Sequence, residues 1–153
     1  MGKTRRIFAG AAVATLCAGQ LVLSEGAAWA KGANPWGCGA NVDHPHKSHQ
    51  NHRTVNVHAD LKCSTGKVPR FSIHVTLYRS RWWGWEKIRK TGYVSGHNKY
   101  KARAEANWEP HGACHHYKAV GEFMIAGGSK KITSTVFNYN KEKIEGKGEL
   151  CVK

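Results

Sequence analysis

Helical periodicity is missing from this sequence. No window of about 12 residues carries the 3.6-residue apolar stripe of an amphipathic helix. Past residue 30 no apolar run approaches the roughly 20 residues that a membrane-spanning helix needs. No two cysteines stand in the C-x₂-C spacing that zinc favours. G-x-S-x-G, H-E-x-x-H and the phosphate-binding loop are also absent, which removes the common motif-marked hydrolases and nucleotide binders. Internal repeats are lacking, so a solenoid is excluded. Acid is scarce: ten Asp and Glu stand against 24 Lys and Arg, for a formal net charge of +14. Such a chain attracts polyanions of any kind, whether nucleic acid, anionic cell wall or acidic protein.

What is present begins with an export signal. MGKTRRIF is cationic, AGAAVATLCAGQLVL is apolar but too short and too rich in small residues for a stable span, and Ala28-Trp29-Ala30 supplies a cleavage site. Thr4-Arg5-Arg6-Ile7-Phe8 also resembles a twin-arginine signal, so either export route is open. Residues 1–30 are therefore expected to be removed and the mature chain to begin at Lys31, secreted and extracellular. Losing three basic residues and one acidic residue lowers the net charge from +14 to +12. What remains is the size of one domain with a modest core.

Four cysteines remain in that domain: Cys38, Cys63, Cys114 and Cys151. An even count in a small exported chain predicts two disulfides, and three pairings are possible. Cys63 closes one expected strand and Cys114 precedes another. A Cys63–Cys114 staple between sheets, with Cys38 tied to Cys151, is the expected arrangement.

The stretch from Lys31 to Arg53 shows neither helical nor strand period, and reads as an extended arm. Beyond it, alternation takes over. Val55, Val57, Ala59 and Leu61 share a face, as do Phe71, Ile73, Val75 and Leu77. Tyr100, Ala102, Ala104, Ala106 and Trp108 form a third set, and Tyr117, Ala119, Gly121, Phe123 and Ile125 a fourth. Residues 132–139 and the C-terminal ELCV add two more. Turn signals such as STGKVP, SGHN and AGGSKK separate these runs. Six or seven antiparallel strands with one apolar face each predict an all-β, immunoglobulin-like β-sandwich over residues 54–153, disulfide-stapled and preceded by the arm over 31–53.

Within YRSRWWGWEKIRK, residues 78–90, Trp82, Trp83 and Trp85 sit among cationic side chains. They cannot all be buried without dragging Arg81, Glu86 or Lys87 inside, so part of the indole surface is expected to be exposed. Trp and Arg together dominate protein–protein hot spots, although sugar and single-strand nucleic-acid binding also use them. Arg81, Trp82, Trp83 and Trp85, with Trp36 in the arm, are the candidate partner-binding residues. His44, His46, His49 and His52 are spaced closely enough to approach a metal, but an extended arm offers no preorganised geometry, and no metal or other cofactor is expected. A ribonuclease-like enzyme would draw on Glu105, Glu109, His97 and His111 with a nearby cation, yet no motif fixes their spacing. The basic residues are spread along the chain, which speaks for diffuse attraction or a large acidic partner rather than a sequence-reading nucleic-acid site.

An exported chain, an arm with Trp36 and Cys38, and a basic sandwich with Cys63, Cys114, Cys151 and a Trp-rich loop resemble the small adaptor subunit of bacterial umbrella toxin particles, the UmbB family. The resemblance implies an immunoglobulin-like body without enzymatic activity. It implies an adaptor that joins a lectin-type subunit, through the N-terminal arm, to a large repeat-containing toxin subunit, through the body. A free-standing binder of cell-wall or carbohydrate polyanions is the principal alternative, and a small secreted ribonuclease the second.

Overall fold

A computed structural model describes residues 34–152, except for the side chains of residues 89–91. The expected signal peptide, 1–30, and the start of the expected arm, 31–33, lie outside the described residues. The strands are β1 (Cys38–Val42), β2 (His46–Lys47), β3 (Val55–Cys63), β4 (Val68–Arg81), β5 (Gly84–Lys99), β6 (Lys101–Trp108), β7 (Cys114–His115), β8 (Tyr117–Gly127), β9 (Lys130–Tyr139) and β10 (Leu150–Cys151). One short helix, α1 (Lys141–Ile144), lies between β9 and β10. Among the described residues no helix is long and apolar enough to cross a membrane.

In one sheet, β3 pairs with β6 on one edge and with β1 and β2 in tandem on the other. The second sheet runs β5-β4-β8-β9, and β7 and β10 form a separate small ladder. Every pairing is antiparallel. The chain passes from the first sheet to the second after β3, returns at β6, and crosses again to β8. These connections and pairings are those of an immunoglobulin-like sandwich.

The expected alternation supplies the core. Val55, Val57, Ala59 and Leu61 of β3 are buried against Phe71, Ile73, Val75 and Leu77 of β4 and Ala119, Phe123 and Ile125 of β8. Each Val, Leu, Ile or Phe side chain among them contributes about 1.5–3 kcal/mol by leaving water. The facing sheets meet closely at Gly121, where a Cβ would stand 2.5 Å from the Cγ2 of Val42 and 2.8 Å from the Phe123 ring. A larger residue there would push β1 off β8.

Two expectations need correction. The arm does not extend free to residue 53. Cys38, Ala40 and Val42 are buried and alternate with exposed Gly39 and Asn41, and β1 is hydrogen-bonded to β3 in register Cys38↔Cys63 through Val42↔Ala59. This is a period-two strand whose small residues make the alternation inconspicuous. The disulfides also differ: Cys38 joins Cys63 and Cys114 joins Cys151. Each is a cross-strand pair, the first between β1 and β3 and the second between β7 and β10. Once β1 is a strand, Cys63 has a neighbour in its own sheet, and the expected bridge between sheets has no place.

Non-reducing peptide mapping should recover the Cys38–Cys63 and Cys114–Cys151 links and no free thiol. The bridges span 25 and 37 residues. Removing either by a double Cys→Ala change should cost about 3–4 kcal/mol in a denaturant titration, the loop-entropy scale for such spans. A Cys63–Cys114 peptide would contradict this fold.

Candidate interaction site at the β4–β5 hairpin tip

Strands β4 and β5 pair from Val68↔Lys99 to Arg81↔Gly84, leaving Trp82 and Trp83 as a two-residue turn. The turn requires Gly84, whose φ of 133° is rare for any residue with a Cβ. The other neighbour of β4 stops sooner, because pairing with β8 ends at Arg79↔Tyr117. The hairpin therefore overhangs the end of the sandwich. Between Thr76↔Thr91 and Tyr78↔Lys87 residues 88–90 of β5 bulge opposite Leu77, turning Ile88 into the core and bending the hairpin where the overhang starts.

At the tip Trp82 is 93% exposed and Trp83 60%. Their rings meet edge to face, with centroids 5.3 Å apart and planes at 85°. On the inner face of the overhang, Arg79 Nε and Arg81 Nε both donate to Glu86 Oε2, at 2.7 and 2.6 Å. The Arg79 guanidinium lies 4.9 Å from the Trp108 ring centre and that of Arg81 lies 5.8 Å from Trp83. The hydrogen bonds from Arg79 and Arg81 hold the Glu86 carboxyl down at about 2. Behind this cluster, Tyr117 is fully buried and its hydroxyl has no partner among the described residues. Burial pushes that phenol up to about 12. Burial, with the charges of Arg79 and Arg81, also lowers the pKa of His115.

The outer face of the same hairpin carries Trp85, half-buried and 5.6 Å from Tyr139. Lys118 and Lys143 stand 5.1 and 5.4 Å from its ring centre, and Lys118 also covers Tyr78 at 4.9 Å. The structure thus brings four of the five sequence-derived candidates to one end: Arg81, Trp82, Trp83 and Trp85. Arg79, Glu86 and Trp108 join them. Nothing in the local sequence marked Trp108, which reaches the site because β6 ends beside β3 at Val55↔Trp108.

Trp36 lies elsewhere. It is half-buried on the core at the other end of the sandwich, against Gly127, where a Cβ would stand 2.5 Å from its Cζ2. Strand β8, Tyr117–Gly127, separates the two ends, roughly 30 Å at about 3.3 Å per residue. Trp36 is a packing residue in this fold.

Of the four arm histidines, His44, His46 and His49 line one surface cavity, with the His46 and His49 ring centres 6.0 Å apart. His44 Nδ1 donates to the Tyr139 carbonyl and His46 Nδ1 to the His44 carbonyl, each at 2.8 Å. His49 and His52 are exposed. No group of three or more His, Cys, Asp or Glu placed to hold a metal occurs among the described residues. Of the enzyme candidates, Glu109 and His111 line one surface cavity of about 240 Å³ with Arg53. Glu105 is on the first sheet, accepting from Asn56 and Asn107 at 2.7 and 2.8 Å, and His97 is on β5 opposite Arg70.

The depressed Glu86 pKa has a consequence for stability. Its contribution is present above the unfolded value of about 4.5 and is lost as pH falls toward 2. Thermal melts of the parent and Glu86→Gln should differ by a constant amount from pH 7 to 5 and converge between about 4.5 and 2. A gap that keeps its neutral-pH size at pH 2 would contradict the arginine contacts.

Compared with models of known protein families and with curated proteins, the sequence matches none of them.

Proposed function

We propose that this chain is a secreted, non-enzymatic adaptor that docks on a partner protein through the β4–β5 tip. The observation that carries the reading is the pair of exposed indoles, Trp82 and Trp83, held beyond the sandwich where the chain's described residues leave most of their surface uncovered. Trp and Arg in this combination dominate binding hot spots, and a two-residue turn on a paired hairpin presents them on a backbone with little freedom left to lose. The two disulfides suit export to an oxidising compartment. In its finer form, following the resemblance to umbrella toxin adaptors, the protein links a lectin-type subunit to a large toxin subunit in an extracellular antibacterial complex. Because β1 and β2 already pair with β3, a lectin contact through residues 34–53 would use their side chains or outer edge rather than a free arm.

The polyanion-binder alternative finds its nearest support on the first sheet, where Lys62, Lys101 and Arg103 surround a shallow cavity of about 600 Å³. Arg103 there is already held by both oxygens of Asp60, at 2.6 and 2.8 Å, which lessens its use to a polyanion. A protein partner is the better-supported reading.

Affinity capture from culture supernatant, with mass spectrometry of the retained proteins, tests it. Trp82→Ala and Trp83→Ala should each weaken capture of one partner by about 2 kcal/mol or more while leaving the melting temperature within a few degrees of the parent. Capture unchanged by both substitutions would overturn the docking reading. In a ribonuclease assay, the parent should show no turnover that His111→Ala removes; such turnover would establish the enzyme instead.

A further inference from the structure

We infer that Arg79 and Arg81 form the seat for a carboxylate of an acidic partner protein, with Trp82 and Trp83 as the apolar anchor beside it. This rests on the docking reading of the tip and specifies the chemistry that the tip would recognise.

The geometry starts from Glu86. Both arginines reach the same oxygen, Oε2, and both do so through Nε. Each guanidinium is a planar fork with five N–H donors, so its Nη nitrogens remain. No hydrogen bond from an Nη nitrogen of either arginine occurs among the described residues, whereas Arg103 spends both Nε and Nη2 on Asp60. Two cations share one anion, and the cluster keeps a net positive charge. The Arg79 and Arg81 side chains are only 20% and 31% exposed, lying against Trp108 and Trp83. They are thus oriented before any ligand arrives, which reduces the ordering cost of binding. A carboxylate accepting from the free ends would form charge-assisted hydrogen bonds in partly dehydrated surroundings.

The occupant's chemistry follows from two further features. With 24 basic residues against ten acidic ones, complementarity calls for an acidic partner. The exposed indoles stand at 85° to each other. Successive bases need aromatic faces on which to stack one after another, whereas an edge-to-face pair makes a single apolar knob suited to a pocket on a folded surface. A protein carboxylate beside an apolar pocket satisfies both features.

The test uses the full mature chain and a synthetic peptide of alternating leucine and glutamate, with its glutamine counterpart as control. The Trp82 and Trp83 indole N–H resonances are followed during titration. The glutamate peptide should shift both, and the glutamine peptide should bind about tenfold more weakly or worse. Arg79→Lys and Arg81→Lys preserve net charge, but an ammonium lacks the planar fork and cannot serve Glu86 and a ligand in the same geometry. Each should weaken the glutamate peptide about tenfold, while Arg103→Lys should leave it unchanged. Melting curves accompany each variant, and if Arg79→Lys is destabilised, the more exposed Arg81→Lys carries the comparison.

Equal binding of the two peptides, or affinity indifferent to both Arg→Lys changes, would overturn the seat. So would tighter, arginine-dependent binding of polyphosphate or oligothymidylate, which would assign the site to phosphate. In affinity capture, loss of the partner with Trp82→Ala but not with either Arg→Lys change would remove the carboxylate seat and leave the docking reading standing. Capture insensitive to all of them would remove both.

Discussion

Strand β4 is hydrogen-bonded on both edges, and its two neighbours end at different heights. Its pairing with β5 continues to Arg81↔Gly84, whereas its pairing with β8 stops at Arg79↔Tyr117. Up to that point the backbone is satisfied from both sides and the inward side chains are covered by the opposite sheet. Past it, that edge keeps only the contact of Ser80 with His116, whose carbonyl accepts from the Ser80 N–H at 2.8 Å, and beyond Ser80 only β5 remains. The overhang carries the residues least suited to being uncovered, Trp82 and Trp83, beside one of those least suited to burial, Arg81, with Arg79 at its base. Their mutual contacts resolve part of that conflict. Guanidinium groups lie over indole rings, and Glu86 fixes both arginines through one oxygen. The exposed faces of Trp82 and Trp83 are the part left unresolved inside the chain.

The same pairing of aromatic and cation recurs on the outer side of the hairpin, where Lys118 and Lys143 cover Trp85, Tyr78 and Tyr139. A basic chain with little acid has few carboxylates to offer its cations. Aromatic faces serve as substitutes, each contact contributing on the order of 0.5–1 kcal/mol where exposed. This gives the hairpin two chemically distinct sides. The inner one is organised by a carboxylate and keeps free donors, and the outer one is a closed cation–aromatic surface.

Much of the sandwich was legible because buried apolar residues, several of them β-branched or aromatic, recur at every second position in β3, β4 and β8. Strand β1 was not, since Cys38, Ala40 and Val42 carry too little apolar bulk to stand out from the Gly and Asn between them. That omission propagated: without β1, Cys63 lacked a partner in its own sheet and was assigned across the sandwich to Cys114. Trp36 was read as a partner-binding residue of the arm for the same reason, although Gly127 leaves room for it on the core. The exposure of Trp82 and Trp83 was half-readable. Sequence showed that the indoles of this stretch could not all be buried, but which of them stay uncovered depends on where β8 ends relative to β4, a register that no local pattern reveals. Arg79 was missed because its contact with Glu86 depends on the hairpin register, and Trp108 because it joins the site only through the pairing of β6 with β3.

The most direct measurement is hydroxyl-radical footprinting of Trp82 and Trp83 in the protein as it occurs in culture supernatant, compared with the purified chain alone. If the tip is a docking surface, both indoles oxidise readily in the isolated chain and are protected severalfold in the supernatant form, while the exposed Tyr100, remote from the tip, oxidises equally in both. Equal oxidation of Trp82 and Trp83 in the two samples would contradict the account.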